Sequence, residues 1–189
     1  MNIAVFFGGR SCEHDISIIT GVQVLNALGD GYRVLPVYMK DGGFYTSDLM
    51  TDVGFFENPN LKKATRIWLI DGSFYTRKGM LLLKKETPDV ALICCHGGEG
   101  ENGVLQGFLE YNGVPYTSAG LIASSVCMDK SIAKQLLDGL MLNTMPSITV
   151  SRGDFEKNTN DVIRHVSTFL EYPLIVKPSG LGSSIGIKK

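Results

Sequence analysis

No pair of cysteines in this chain has the Cys-x-x-Cys spacing of a structural zinc site. The four that are present, Cys12, Cys94, Cys95 and Cys127, show no disulfide-framework spacing either. Cys12, His14, Cys95 and His96 could in principle gather at two strand ends around zinc. Without a Cys-x-x-Cys pair, reduced thiols held mostly in the core are the better reading. A dominant charge of one sign is also missing, since 18 basic side chains face 19 acidic ones for a net charge of −1. That balance gives no reason to expect nucleic acid or an anionic membrane as partner. No apolar run approaches the ~20 residues that a spanning helix needs. Residues 1–7 enter a strand directly instead of forming a signal sequence, so a cytoplasmic protein is expected. The dinucleotide fingerprint Gly-x-Gly-x-x-Gly and the Walker loop are both absent, which removes the usual grounds for an NAD-binding or P-loop reading.

What is present is ordinary globular material: 189 residues, of which 44% are hydrophobic and 20% charged. That length allows one good-sized domain, or one and a half small ones. Residues 2–7 form an apolar run without alternation, the pattern of a strand buried on both faces. Gly8 and Gly9 end it. A helix is predicted to start near Asp15 or Ser17, either of which can cap it. Ile18, Val22, Leu25 and Leu28 then recur along one face, and Gly29 and Gly31 close the helix. Residues 33–39 read as the next strand, so the chain opens β-α-β, with parallel pairing and a right-handed crossover as the default.

Residues 40–86 differ in texture. Turn signals at Asp41-Gly42-Gly43 and Asp71-Gly72 separate short aromatic or β-branched runs, which predicts hairpins and irregular loops at the edge of the sheet. Residues 50–60 have no strong period. Residues 90–95 are a second buried strand, followed by a glycine-rich loop (96–103), a helix (104–110) and a short strand (115–117). These complete an α/β domain by about residue 120, with the domain junction at 120–129. Beyond it, Asp129 should cap a helix bearing Ile132, Leu136, Leu137 and Leu140. A strand is predicted over 147–150, then an amphipathic helix through Val162, Ile163, Val166, Phe169 and Leu170. A short buried strand over 172–176 leads into the last loop.

Chemistry-bearing residues concentrate in three loops. In an open parallel sheet, ligands bind beyond the carboxyl ends of the strands. The loop after the first strand holds Glu13, able to grip an ammonium group or act as a base; the plain alternative is a solvated loop carboxylate. The loop after the strand at 90–95 holds His96, read either as a structural histidine or as part of a ligand-shaped loop. The third loop combines Lys177 with Gly180, Gly182, Gly186 and the hydroxyls of Ser183 and Ser184, a set suited to phosphate oxygens. Its alternative is a glycine-rich hairpin with a solvated lysine. Lys130 sits at a helix start, where the dipole favours anions; a phosphate nearby would explain it, and the plain alternative is an exposed lysine. Gly182-Ser-Ser-Ile-Gly186 matches the Gly-x-Ser-x-Gly elbow in letters only, since no helix and no acid or histidine partners follow. His14 and His165 read as surface residues.

The stretch His96-Gly-Gly-Glu-Gly-Glu-Asn-Gly-Val-Leu-Gln-Gly107 resembles the N-terminal signature of D-alanine–D-alanine ligases at every position. Gly8-Gly-Arg-Ser-Cys-Glu-His-Asp-Ile-Ser17 is similar to that family's first loop. Met128-Asp-Lys130 and Ile175-Val-Lys-Pro-Ser-Gly-Leu-Gly-Ser-Ser-Ile-Gly186 resemble its ATP-grasp landmarks, in the same order and spacing. The resemblance covers essentially the whole chain, least of all residues 40–86. It implies a Rossmann-like, parallel-sheet N-terminal (pre-ATP-grasp) domain over residues 1–120. A partial α+β ATP-grasp subdomain over 121–189 would follow.

The resemblance also implies an ATP-dependent ligase of peptidoglycan precursor synthesis. Glu13 would hold the ammonium of a first D-alanine. Ser183 would hydrogen-bond Glu13 and help order a closing loop, and His96 would lie near the D-alanine carboxylate. Lys130, Lys177, Gly182, Ser183 and Ser184 would contact ATP, and a homodimer through the N-terminal domain is implied. In the family, Mg²⁺ ligands, an adenine-binding linker, a loop tyrosine and a transition-state arginine lie beyond the stretch matched here. No metal ligand is therefore expected in this chain, which by itself is expected to be inactive. The alternatives are a non-catalytic dimerising or ligand-binding remnant and an ATP-grasp enzyme of other substrate; the 96–107 loop speaks against the latter.

Overall fold

A computed structural model describes residues 1–189. The chain divides into two compact units, Met1–Ser125 and Val126–Lys189. The first is built on a seven-stranded sheet. The first strand, β1 (Asn2–Gly8), lies beside β2 (Arg33–Lys40) in parallel, after the helix α1 (His14–Leu28). β1 is buried on both faces, as its unbroken apolar run predicts. Ala4 and Phe6 enter one core with Leu35, Val37, Leu105 and Leu109, while Ile3, Val5 and Phe7 enter the other with Ile18, Val22 and Leu25. The period-two geometry of a strand divides consecutive apolar residues between the two layers.

The helix α1 starts earlier than predicted. Glu13 is its N-terminal flanking residue and Asp15 lies in its first turn. Ser17 does not cap it. That side chain is fully buried, and its hydroxyl accepts from Gly8 N at 2.8 Å and donates to the Cys94 carbonyl at 3.1 Å. Two backbone groups at adjacent strand ends are thereby satisfied away from water.

After β2 the chain folds as an antiparallel meander, with β3 (Gly43–Thr46), β4 (Thr65–Ile70), β5 (Ser73–Lys78) and β6 (Leu81–Glu86) added in order. Two of its hairpins use the predicted turns. Asp41 (φ 49°) with Gly42 (φ 72°), and Asp71 (φ 48°) with Gly72 (φ 71°), are two-residue loops with both residues left-handed. That geometry matches strand twist and favours Asp-Gly. The aperiodic stretch between β3 and β4 forms a 3₁₀ turn (Asp48–Thr51), the short helix α2 (Gly54–Glu57) and a second 3₁₀ turn (Leu61–Lys63). Met50 plugs the core from there.

The last strand, β7 (Val90–Ile93), pairs in parallel with the free side of β1, giving the order β6-β5-β4-β3-β2-β1-β7. Residues 115–117 add a single parallel bridge, Ala91 with Tyr116. The helix α3 (Val104–Tyr111) buries Leu105, Gln106 and Leu109. Next comes α4 (Leu121–Met128), a helix where the sequence suggested a junction.

The second unit contains α5 (Lys130–Gly139), α6 (Arg152–Lys157) and α7 (Thr159–Phe169). Two predicted strands are absent. Residues 147–150 take no regular structure. The predicted buried strand over 172–176 is reduced to one antiparallel bridge, Val176 with Lys188, and Ile175 and Val176 are exposed at 59% and 67%. A strand needs a ladder partner and a covered face, and no side chain of Val126–Lys189 is buried. No helix is long and apolar enough to cross a membrane.

Candidate active site

β1 is flanked by β2 on one side and β7 on the other; the connection from β1 leads to β2, whereas that from β7 leads the other way, to residues 115–117. This is the topological switch point at which open α/β sheets bind ligands. The loop after β1 runs from Gly8 into α1, and the loop after β7 runs from Cys94 through His96 to the 3₁₀ turn Gly98–Gly100. The two loops are laced together. Ser11 Oγ donates to the His96 carbonyl at 2.5 Å and accepts from Glu13 N at 3.1 Å. Arg10 N donates to Glu99 Oε1 at 2.9 Å, and the Arg10 guanidinium adds a second contact at 3.4 Å.

Glu13 flanks the helix start, yet its carboxylate does not fold back to cap α1. Instead it reaches across to the other loop: a Cβ on Gly97 would lie 2.8 Å from Glu13 Oε2. Gly97 (φ 65°) and Gly98 (φ 51°) are both left-handed, and a Cβ on Gly98 would meet Ser11 Cβ at 3.0 Å. Glycine is required here on both counts, backbone angle and close approach. His96 Nε2 lies 2.9 Å from Thr20 Oγ1 on α1, so its ring is tied to the helix.

His14 is not the plain surface residue its sequence position suggested. Its Nδ1 is 2.6 Å from the Gly9 carbonyl, which can only accept, so Nδ1 carries a proton. Nε2 faces the Tyr38 hydroxyl at 3.1 Å. Burial, with Asp41 and Asp15 adding repulsion, pushes the Tyr38 phenol up to about 12, so it stays a hydroxyl and can donate to a neutral ring. Cys94 and Cys95 are buried core thiols, pushed by burial up to about 11 and about 12 respectively. A cavity of about 250 Å³ opens beside this region, between Lys40–Phe44 and α3. Arg10 and Glu99 line it, whereas Glu13 and His96 do not.

In the second unit, Asp129 caps α5 as predicted, its Oδ1 accepting from Ser131 N and Ile132 N. The same oxygen accepts from Ser131 Oγ at 2.5 Å and Ser179 Oγ at 2.6 Å. These bonds, led by Ser131 and then Ser179, hold the carboxyl well below the usual carboxylate range. Lys130 turns to the glycine–serine loop: its ammonium donates to the Leu181 carbonyl at 2.5 Å and the Ser179 carbonyl at 3.4 Å. Ser183 (φ 49°) and Ser184 (φ 58°) are consecutive left-handed residues, and the Gly182 carbonyl accepts from Ile185 N at 3.0 Å. Lys177 is exposed beside this loop.

Glu13 and His96 are thus assembled within the first unit. Lys130 joins the loop carrying Gly182, Ser183 and Ser184 within the second. Ser11, Thr20, Tyr38 and Ser179 complete these networks; Ser11 and Ser179 lie within the motif stretches but have no role assigned there, and nothing in their spacing singles out Thr20 or Tyr38, whose partners lie on other elements.

A mixed α/β sheet with a parallel centre and glycine-rich loops at its switch point, followed by a helical unit with a lysine-anchored loop, places the chain in the ATP-grasp class of folds. Residues 2–119 match the family "D-ala D-ala ligase N-terminus", and residues 136–189 match "D-ala D-ala ligase C-terminus". The chain belongs to the D-alanine–D-alanine ligase family. It is 40% identical to D-alanine–D-alanine ligase of Thermosipho africanus over its whole length, covering 52% of that protein. To the Staphylococcus epidermidis ligase it is 37% identical, covering 52%. Among solved structures, the Helicobacter pylori D-alanine–D-alanine ligase superposes with a TM-score of 0.82 at 25% identity, covering 100% of this chain and 58% of that one. The VanG D-Ala:D-Ser ligase of Enterococcus faecalis gives 0.78 at 26% identity, with 98% and 54% covered. The chain spans about half the length of the curated relatives it matches.

Proposed function

We propose that the protein carrying this chain joins two D-alanines to D-alanyl-D-alanine at the expense of ATP, supplying peptidoglycan precursor synthesis. The carboxylate of the first D-alanine attacks the γ-phosphorus of ATP, ADP leaves, and an acyl phosphate forms. The amine of the second D-alanine then attacks the acyl carbon, expels inorganic phosphate and loses a proton. The observation that carries this reading is the Glu13 carboxylate, held against Gly97 where two glycine-rich loops meet at the switch point.

Glu13 is assigned to the ammonium of the first D-alanine, an ionic contact that fixes the charged end of the substrate. His96, on the same loop pair, is assigned to the neighbourhood of its carboxylate. Ser183 is assigned to ordering the phosphate loop. Lys130, Lys177, Gly182, Ser183 and Ser184 offer ammonium and hydroxyl donors, a set that fits ATP phosphate oxygens. Two of the three Lys130 donors already serve the loop's own carbonyls, so this lysine shapes the loop as well as charging it.

Mg²⁺ does not fit residues 1–189 in the same way. No group of three His, Cys, Asp or Glu side chains comes together to hold a metal, so no step is assigned through it. A homodimer through residues 1–120 and a cytoplasmic location belong to the same proposal. For residues 1–189 taken alone, the alternative is a dimerising or ligand-binding role without turnover.

The test is phosphate release by the full-length gene product supplied with ATP, Mg²⁺ and D-alanine, with the dipeptide identified by mass. D-Serine is offered in parallel, because one structural relative is a D-Ala:D-Ser ligase. Phosphate release that does not depend on D-alanine overturns the reading.

A further inference from the structure

We propose that Ser11 is a positioning residue for Glu13, its hydroxyl setting the backbone from which the ammonium-binding carboxylate projects. The inference rests on the reading of Glu13 given above and adds a residue to it. A serine hydroxyl has one proton and two lone pairs. The His96 carbonyl can only accept, so the proton points there, at 2.5 Å. The Glu13 N–H can only donate, so it takes a lone pair, at 3.1 Å. One atom therefore joins the loop after β7 to the residue two positions on in the loop after β1. A local serine turn accounts for the second bond alone; the first spans 85 residues of sequence.

The surroundings leave little room for another arrangement. Ideal Cβ positions on Gly97 and Gly98 would lie 3.4 and 3.0 Å from Ser11 Cβ, so both backbones close directly onto this side chain. Gly97 is also the residue that the Glu13 carboxylate approaches. Shifting Ser11 therefore moves both walls between which Glu13 is held. The other link between the loops, from Arg10 N and its guanidinium to Glu99, does not involve Glu13. Its acceptor lines the cavity, away from Glu13.

The experiment measures KM for the first D-alanine, KM for ATP and kcat on the full-length gene product and on S11A, S11T, E13Q and the double variant S11A/E13Q. Loss of one such hydrogen bond should raise the first D-alanine KM about tenfold in S11A. The ATP KM should stay within about twofold. S11T, which keeps the hydroxyl, should recover most of the loss. Because Ser11 acts through Glu13, the double variant should match E13Q alone instead of multiplying the two defects. Multiplying defects, or an S11A effect shared equally by ATP, overturns the proposal. Should S11A fail to fold by circular dichroism, S11C is judged against the same criteria. An E13Q protein with unchanged D-alanine KM overturns the reading of Glu13, and the role of Ser11 with it. A normal S11A beside a defective E13Q overturns only the role of Ser11.

Discussion

Ser179 Oγ donates to Asp129 Oδ1 across 2.6 Å, so the glycine–serine loop is tied to the first turn of α5 although 50 residues separate the two in sequence. Lys130, the next residue along, adds its ammonium to the carbonyls of Ser179 and Leu181. A cation at a helix start, where the dipole disfavours it, is here offset by two carbonyl acceptors.

Asp129 should titrate below the ordinary carboxylate value of roughly 3.9. A carboxyl depressed in the folded state stabilises the fold above its unfolded value, and that contribution fades as pH falls through the folded one. NMR titration of Asp129 in residues 1–189 should show the low midpoint, with S131A raising it more than S179A, because the Ser131 bond is the larger cause. A midpoint unaffected by both substitutions would contradict the network.

Glu13→Gln in the full-length gene product should raise the first D-alanine KM while leaving that for ATP nearly unchanged. Losing a charge-assisted hydrogen bond costs about 1.5–3 kcal/mol, or roughly 10- to 150-fold. Steady-state kinetics with each substrate varied in turn give the answer, and equal effects on both substrates would refute the assignment.

Gly21→Ala should destabilise the first unit even though alanine is the better helix former by about 1 kcal/mol. A Cβ at Gly21 would lie 2.4 Å from Phe7 Cγ and 2.6 Å from Phe7 Cβ, so α1 cannot keep its distance from β1. Overpacking costs about 1–3 kcal/mol, so the clash should win. Urea unfolding with an unchanged or higher midpoint would show that the helix shifts freely.

Residues 1–189 alone should not ligate D-alanine. Phosphoryl transfer depends on cations placed around the γ-phosphate, and no metal-ligand group is assembled in this chain. A coupled ADP-release assay on protein freed of host ligase should show no D-alanine-dependent turnover approaching about 1 s⁻¹.

The same chain should self-associate. Leu136, Leu140, Phe169 and Val176 are all more than half exposed, and apolar side chains left in water drive association. Sedimentation velocity over a concentration series should show mass beyond the monomer; a clean monomer at the highest concentration would count against it.

Much of the first unit was legible because its signals are local. The unbroken apolar run of β1, the helical spacing of Ile18, Val22 and Leu25, and the Asp-Gly turns each specify conformation within a few residues. The motif loops around Glu13 and His96 could be located for the same reason, since glycine marks where the backbone must turn. Three helices, α2, α4 and α6, went unread, the four residues of α2 being too few to show a period. The helix α4 is too uniformly apolar and small to show a period, and the six residues of α6 are too few for one. Residues 147–150 and 172–176 look like strands in composition, but strand formation depends on a partner that composition does not supply.

The amino-acid sequence by itself determined the buried parallel strands, the amphipathic helices α1, α3, α5 and α7, and the family. Each of these follows from side-chain period, turn chemistry or a contiguous motif. Only the tertiary structure decided that Ser17 is a buried clasp between β1 and β7, that His14 faces Tyr38, and that Ser11 joins His96 to Glu13. It alone showed Lys130 turned into the glycine–serine loop. These are contacts between residues from about ten to nearly ninety positions apart, apart from the two-residue step from Ser11 to Glu13. A polar side chain takes the nearest partner that folding brings to it, and that partner depends on how strands and helices pack, not on its neighbours in the chain.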